Sequence, residues 1–305
     1  MKRSIRIFMI VILAAAMSAF CSCEQTPIFD EPVDADAAQD TGGQETLPEI
    51  GDGAMSGTIE IIGSTSVQPL AEELAREFMR LNPDIVVNVQ GGGSSVGVSS
   101  AINNLCDIGT ASRNLKETEK GAGLVEHVAA LDGIAVVVHP GNPVSDLSAE
   151  QVKQIYMGEI TNWSEIGGVD KQIIVFNREA ASGTRGAFIE LAELEEKRDD
   201  GSKRLLITSK AFEANSNGAL KTNVSTKEGA IGYVSMGTID DTIKAVSIGG
   251  VQASADNVKN GTYTLYRPFL MLTKGNPNAI TRAFLDFVMS EQGQDIAAET
   301  YISNE

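Results

Sequence analysis

A strand-to-helix turn built from small hydroxyl residues occurs three times in this chain, and it restricts the fold more than any other feature. Ile173 to Phe176 is a short, apolar, β-branched run that reads as a buried strand. Arg178, Ser182, Gly183, Thr184 and Arg185 follow, and Ala187 to Leu194 has helical composition and spacing. Thr58 to Ile62, then Gly63-Ser64-Thr65-Ser66, then a helix over 68–81 repeat the arrangement. Ile85 to Val89, Gly91-Gly92-Gly93-Ser94-Ser95 and a helix over 96–104 repeat it again. A turn of this kind exposes backbone N–H groups and hydroxyls in one direction.

Free N–H groups at a helix start attract anions, and the helix dipole adds to the effect. Arginine supplies a charged fork suited to an oxyanion. Glycine for the turn and serine as N-cap would account for any one loop. Three loops of the same chemistry point instead to a shared anion site. Asp107-Ile-Gly-Thr-Ala-Ser-Arg113 is a fourth hydroxyl-plus-cation cluster, with Ser112 as an alternative N-cap and Arg113 as a solvated charge.

The 305 residues favour two domains, and 42% apolar content is ordinary for a globular chain. A net charge of −17 excludes nucleic acid as a partner. It does not exclude a small anion. Nine of the acids lie between Glu24 and Asp52, and charges beyond about 8 Å are largely screened at physiological salt. Three cysteines without a CxxC, and two histidines, make no metal set.

Lys2, Arg3 and Arg6 precede the apolar run Ile7 to Ala16, which reads as a secretory signal over 1–22. Glu24 to Gly57 is acidic and poor in apolar residues, so 23–57 is expected to be a flexible tether. Gly133 to Val138 is an apolar strand, and His139-Pro-Gly-Asn-Pro143 breaks it, so a domain crossing is expected there. Tyr263 to Leu272 is expected to be the return strand. Glu193 to Arg204 is charge-dense and reads as a solvated helix surface.

Gly93-Ser94-Ser95-Val96-Gly97 matches a nucleophile elbow lying between strand and helix. A hydrolase of that type carries its histidine after the serine and the acid. Here the last histidine is His139, before the midpoint of the chain. A serine hydrolase is therefore the weakest reading.

Gly63-Ser-Thr-Ser-Val-Gln-Pro-Leu70, Gln90-Gly-Gly-Gly-Ser-Ser-Val-Gly97, Asp107 to Arg113 and Asn177 to Arg185 together resemble the phosphate-binding lipoproteins of ABC-type phosphate importers. The resemblance runs from Thr58 to Ile302. It implies an α/β, two-lobed periplasmic-binding-protein fold of type II, each lobe a sheet flanked by helices, with ligand in the interlobe cleft. It implies lobe I over 58–137 and 264–305, and lobe II over 138–263. Carried over residue by residue, it implies ligand contacts from Thr65, Ser66, Ser94, Ser95, Arg178, Ser182, Gly183 and Thr184. Ser112-Arg113 stands where one branch of the family has an aspartate, as in a second branch, and Ala180 stands where another aspartate occurs. Ser112 is then the expected reader of the protonated phosphate oxygen, and Arg113 beside it is expected among the ligand-binding residues. Cys23, preceded by Ser22, is the expected lipidated residue, with Cys21 as the alternative.

The function implied is extracytoplasmic binding of inorganic phosphate and its delivery to the membrane subunits of an ABC permease. That implies no enzyme activity, no cofactor, and a monomer anchored to the cell membrane by lipid. The alternatives are another tetrahedral oxyanion, sulfate or molybdate, and a tethered phosphate sensor or scavenger.

Overall fold

The computed structural model describes residues 55–304. The expected signal peptide, Cys23 and all but the last residues of the tether lie outside the described residues.

β1 (Gly57–Gly63) leads into α1 (Gln68–Leu81), β2 (Ile85–Gly91) into α2 (Ser94–Ile102), and β3 (Ile108–Ala111) into the single turn α3 (Glu117–Lys120). β1 pairs in parallel with β2 on one side and β3 on the other. Parallel neighbours need a crossover connection, and α1 and α2 provide it. Leu70, Leu74 and Phe78 recur every four residues on α1 and are buried together with Ile59 and Ile61 of β1. Val98 and Ala101 of α2 join a separate apolar cluster with Ala111 of β3.

The long strand β4 (Leu124–Val138) comes next, then the two-residue β5 (Asp146–Leu147), α4 (Ala149–Met157) and β6 (Ile174–Arg178). α5 (Gly183–Leu191) is followed by a hairpin, β7 (Glu195–Lys197) and β8 (Lys203–Leu205). β9 (Phe212–Ala214), α6 (Asn217–Thr226) and β10 (Ala230–Ser235) complete the second half of the sheet. β11 (Lys244–Ala245), β12 (Ser247–Ile248) and α7 (Ala255–Lys259) lead to β13 (Tyr266–Lys274), α8 (Ala279–Val288) and α9 (Glu291–Ala298).

Among the described residues the main sheet runs β2-β1-β3-β13-β4-β10-β6-β9. β4 joins its halves. Leu124 to Gly133 lie antiparallel to β13, and Ile134 to Val138 lie antiparallel to β10. The change of partner falls between Gly133 and Ile134, upstream of the break at His139. In the second half, Phe188 of α5 stacks on Tyr233 with ring centroids 4.0 Å apart, beside Tyr156. Leu220 and Val224 of α6 join Val137 and Phe176 in another cluster. Each half is thus a sheet with helices on both faces, the two-lobed α/β arrangement.

Two local expectations are corrected. α5 begins at Gly183, not Ala187, because Ser182 Oγ accepts from the Arg185 amide at 3.1 Å and caps it. Glu193 to Arg204 is not a helix surface but contains the β7–β8 hairpin. Asp200 accepts from the Ser202 amide at 2.8 Å, and Gly201 adopts φ +81°, so this acidic tip forms a turn. Among the described residues no helix is long and apolar enough to cross a membrane.

Candidate functional site

The first turns of α1, α2 and α5 meet at one place. Ser66 Oγ, just before α1, lies 2.7 Å from Thr184 Oγ1 in α5. The Ser95 amide in α2 donates to Ala181 O at 3.0 Å, next to α5. The loop after β3 closes the cluster: Ser64 Oγ donates to Ser112 Oγ at 2.9 Å, and the Ser112 amide donates to Ser94 Oγ at 3.0 Å. Ser64, Ser66, Ser94, Ser112, Ser182 and Thr184 are all buried, and Thr65 is half-buried.

Glycine permits the close approach. A Cβ on Gly183 would stand 2.1 Å from Ser94 Oγ and 2.7 Å from Ser112 Oγ. The glycines of the elbow-like motif have the same kind of reason. Gly93 has φ +93°, and a Cβ on Gly97 would lie 2.3 Å from Thr110 O. Neither histidine meets Ser95. His127 faces Thr273, and His139 Nδ1 accepts from the Gly141 amide.

The hydrogen bonds share one polarity. Thr65 Oγ1 receives Arg178 Nη2 at 3.2 Å, and Ser66 Oγ receives Asn217 Nδ2 at 2.8 Å. Thr184 Oγ1 receives Arg267 Nη2 at 3.2 Å, and Ser64 Oγ receives the Ser66 amide at 3.1 Å. Guanidinium, amide NH₂ and backbone N–H groups only donate. Each of these hydroxyl oxygens therefore accepts from the protein, and its own hydrogen is directed elsewhere. The Gly183 and Thr184 amides in the first turn of α5 have no intrahelical acceptor either. The Ser64 hydrogen is given to Ser112, so the donors left for a ligand are the Thr65 hydroxyl, one hydrogen of the Ser66–Thr184 pair and the helix-start amides.

Arg178 sits at the end of β6, buried. Its Nε and Nη2 donate to both Glu179 carboxylate oxygens at 2.9 and 3.0 Å, and Nε also reaches Ala214 O. Nη1 of Arg178 is buried and meets no acceptor among the described residues. The Arg178 amide donates to Tyr233 OH, which donates onward to Asn177 Oδ1. Burial pushes the Tyr233 hydroxyl well above its ordinary value, so it stays protonated and keeps that direction.

Arg113 and Ser95 are placed differently from the others. Arg113 forms two short bonds to Glu119, at 2.7 and 2.9 Å, and only a long contact of 3.5 Å to Ser95 Oγ. The fork of Arg113 is occupied by a carboxylate, so it is not directed at the hydroxyl cluster. Ser95 is half-buried beside it.

Asn217, Arg267 and Asp132 join the cluster without being expected from the sequence, and Ser64 is expected only as part of its loop. Asn217 follows β9 through Asn215-Ser216, a further strand–polar–helix turn with the same pattern. Arg267 and Asp132 form an ion pair of 2.8 Å, with side chains 2% and 0% exposed. A lone charge inside an apolar strand was the available signal. Burial pushes the Asp132 carboxyl up to about 6 against the opposing pull of Arg267, and burial lowers Arg267.

The geometry has counterparts among known proteins. A family model described as a PBP superfamily domain matches residues 43–292. The phosphate-binding protein PstS of Bacillus subtilis is 35% identical over 247 residues, covering 80% of this chain and 79% of that protein. A phosphate ABC transporter substrate-binding protein from Clostridium perfringens, solved with bound phosphate, superposes with a TM-score of 0.77 at 41% identity, covering 82% of this chain and all (100%) of that one. An ABC-type phosphate transport receptor from Vibrio cholerae gives 0.66 at 38% identity, covering 81% and 100%. With most of its length matched in sequence and in fold, this chain belongs to the PBP superfamily and, within it, to the family of phosphate-binding proteins.

Proposed function

We propose that this protein binds inorganic phosphate outside the cytoplasm and delivers it to the membrane subunits of an ABC permease. The observation that carries this reading is the meeting of the α1, α2 and α5 starts in one buried cluster, where hydroxyls, helix-start amides and the unpartnered Nη1 of Arg178 are available to an anion. Hydrogen bonds to a charged group contribute about 1.5–3 kcal/mol each. A dissociation constant of 1 μM needs about 8.2 kcal/mol net. Several such bonds from Thr65, Ser66, Ser94, Ser182, Thr184, the Gly183 amide and Arg178 reach that value after ordering costs. Ser112 is our reader of the protonated oxygen, and Arg113 and Ser95 form the rim.

The lobes in this reading are 58–137 with 264–305, and 138–263, and ligand contacts from both favour closure. The basic-then-apolar start of the sequence, Cys23 and the acidic stretch after it support a lipid anchor with a tether. The anchored protein acts as a monomer.

Calorimetry with phosphate, sulfate and molybdate tests the ligand. Phosphate should bind at micromolar concentration or below, with sulfate at least about 100-fold weaker, a gap of about 2.7 kcal/mol. The second reading, another tetrahedral oxyanion, draws on Ser112, a hydroxyl where a carboxylate would discriminate more sharply. Tighter binding of sulfate or molybdate would replace phosphate as ligand, and silence with all three anions would sink the site.

A further inference from the structure

We propose that Asp132 and Arg267 are positioning residues for anion binding, holding Thr184 and Ser66 through a closed ring that spans both halves of the sheet. This rests on the anion site proposed above. Asp132 Oδ2 pairs with Arg267 Nη2 at 2.8 Å, and Arg267 Nη2 donates to Thr184 Oγ1 at 3.2 Å. Thr184 meets Ser66 at 2.7 Å, and Ser66 receives Asn217 Nδ2 at 2.8 Å. Asn217 Oδ1 accepts from the Ser235 amide at 3.4 Å, and Ser235 Oγ returns to Asp132 Oδ1 at 2.9 Å.

Donor and acceptor chemistry gives the ring a direction. Arg267 only donates, so Thr184 accepts from it and turns its own hydrogen away. The Ser235 amide fixes the carbonyl end of Asn217, so its NH₂ faces Ser66. One of the two hydroxyl hydrogens bridges Ser66 and Thr184. The other is left for an oxygen of the anion. Asp132 sets both arms at once. It lies across from Arg267 in the β4–β13 register, one residue before Gly133, and Ser235 of β10 pairs with Ile134 just beyond. The carboxylate therefore stands where β4 exchanges one half of the sheet for the other, and it takes one partner from each.

A double-mutant cycle separates positioning from bulk charge and from fold. Arg267→Gln should weaken phosphate binding about 10-fold in the natural sequence and less than about 2-fold in a Thr184→Val background, because contacts that act through one another are non-additive. Equal penalties in both backgrounds would overturn the assignment, since a general structural or charge effect does not depend on the Thr184 hydroxyl. Ser235→Ala keeps every charge and tests the other arm independently of how Arg267→Gln folds. It should cost about 3- to 10-fold in the natural sequence and under about 2-fold beside Asn217→Ala. Equal costs there would overturn that arm of the ring and the role of Asp132 with it. Phosphate binding absent from the unmutated protein would overturn the anion site and this assignment together, whereas normal binding with additive penalties would remove this assignment alone.

Discussion

Arg178→Ala is expected to weaken phosphate binding by about 100- to 1,000-fold, or about 3–4 kcal/mol at 1.4 kcal/mol per decade. Two losses combine. A charge-assisted bond from the guanidinium contributes about 1.5–3 kcal/mol. Removal also leaves Glu179 without its partner, and its side chain is only 17% exposed. An unpaired, poorly solvated carboxylate beside the site repels an incoming anion. The double variant Arg178→Ala with Glu179→Ala should therefore recover part of the affinity lost by the single one. Calorimetry gives the affinities, and a urea midpoint for each variant checks that the fold persists. A loss of less than tenfold in Arg178→Ala would remove Arg178 from the ligand contacts.

Gly183→Ala should cost at least as much, for a steric reason. The added Cβ would fall 2.1 Å from Ser94 Oγ and 2.7 Å from Ser112 Oγ, so the α5 start is held off from α2 and from the loop after β3. Each half keeps its own core, and Gly183 is the first residue of α5, so the interior helix preference of alanine over glycine gives little there. The expected result is an affinity loss above about 100-fold, or about 2.7 kcal/mol, with the ligand-free melting temperature little changed. Tight phosphate binding by this variant would show that the close approach of α5 is not needed for capture.

Much of this site was legible because its chemistry is local in sequence. Ser66, Ser94, Ser182 and Thr184 sit in strand-to-helix turns whose composition announces exposed donors, and the structure brings those turns together. Ser112 was readable for the same reason. The residues behind them were not. Arg267 and Asp132 lie in apolar strands far apart in the chain, and their meeting is set by the β4–β13 register, which no local pattern specifies. Arg113 stands beside serine in the sequence, and its pairing with the nearby carboxylate of Glu119 is set by the fold, which the motif does not show. The β7–β8 hairpin misled because dense charge marks solvent exposure without choosing between helix and strand. The proline-rich break after Val138 is conspicuous in the sequence, whereas the change of partner within β4 leaves no local mark.

Three arginines near the cluster each carry a carboxylate: Arg178 with Glu179, Arg267 with Asp132, and Arg113 with Glu119. Grip and approach therefore respond to dissolved salt separately. The enclosed contacts act at hydrogen-bond range between neutralised partners, where mobile ions do not enter, so residence time is nearly indifferent to ionic strength. The distant field is that of a molecule with net charge −17, which drives an anion away in dilute water. Added salt dampens this repulsion, so the rate of phosphate capture is expected to rise with ionic strength while its release changes little.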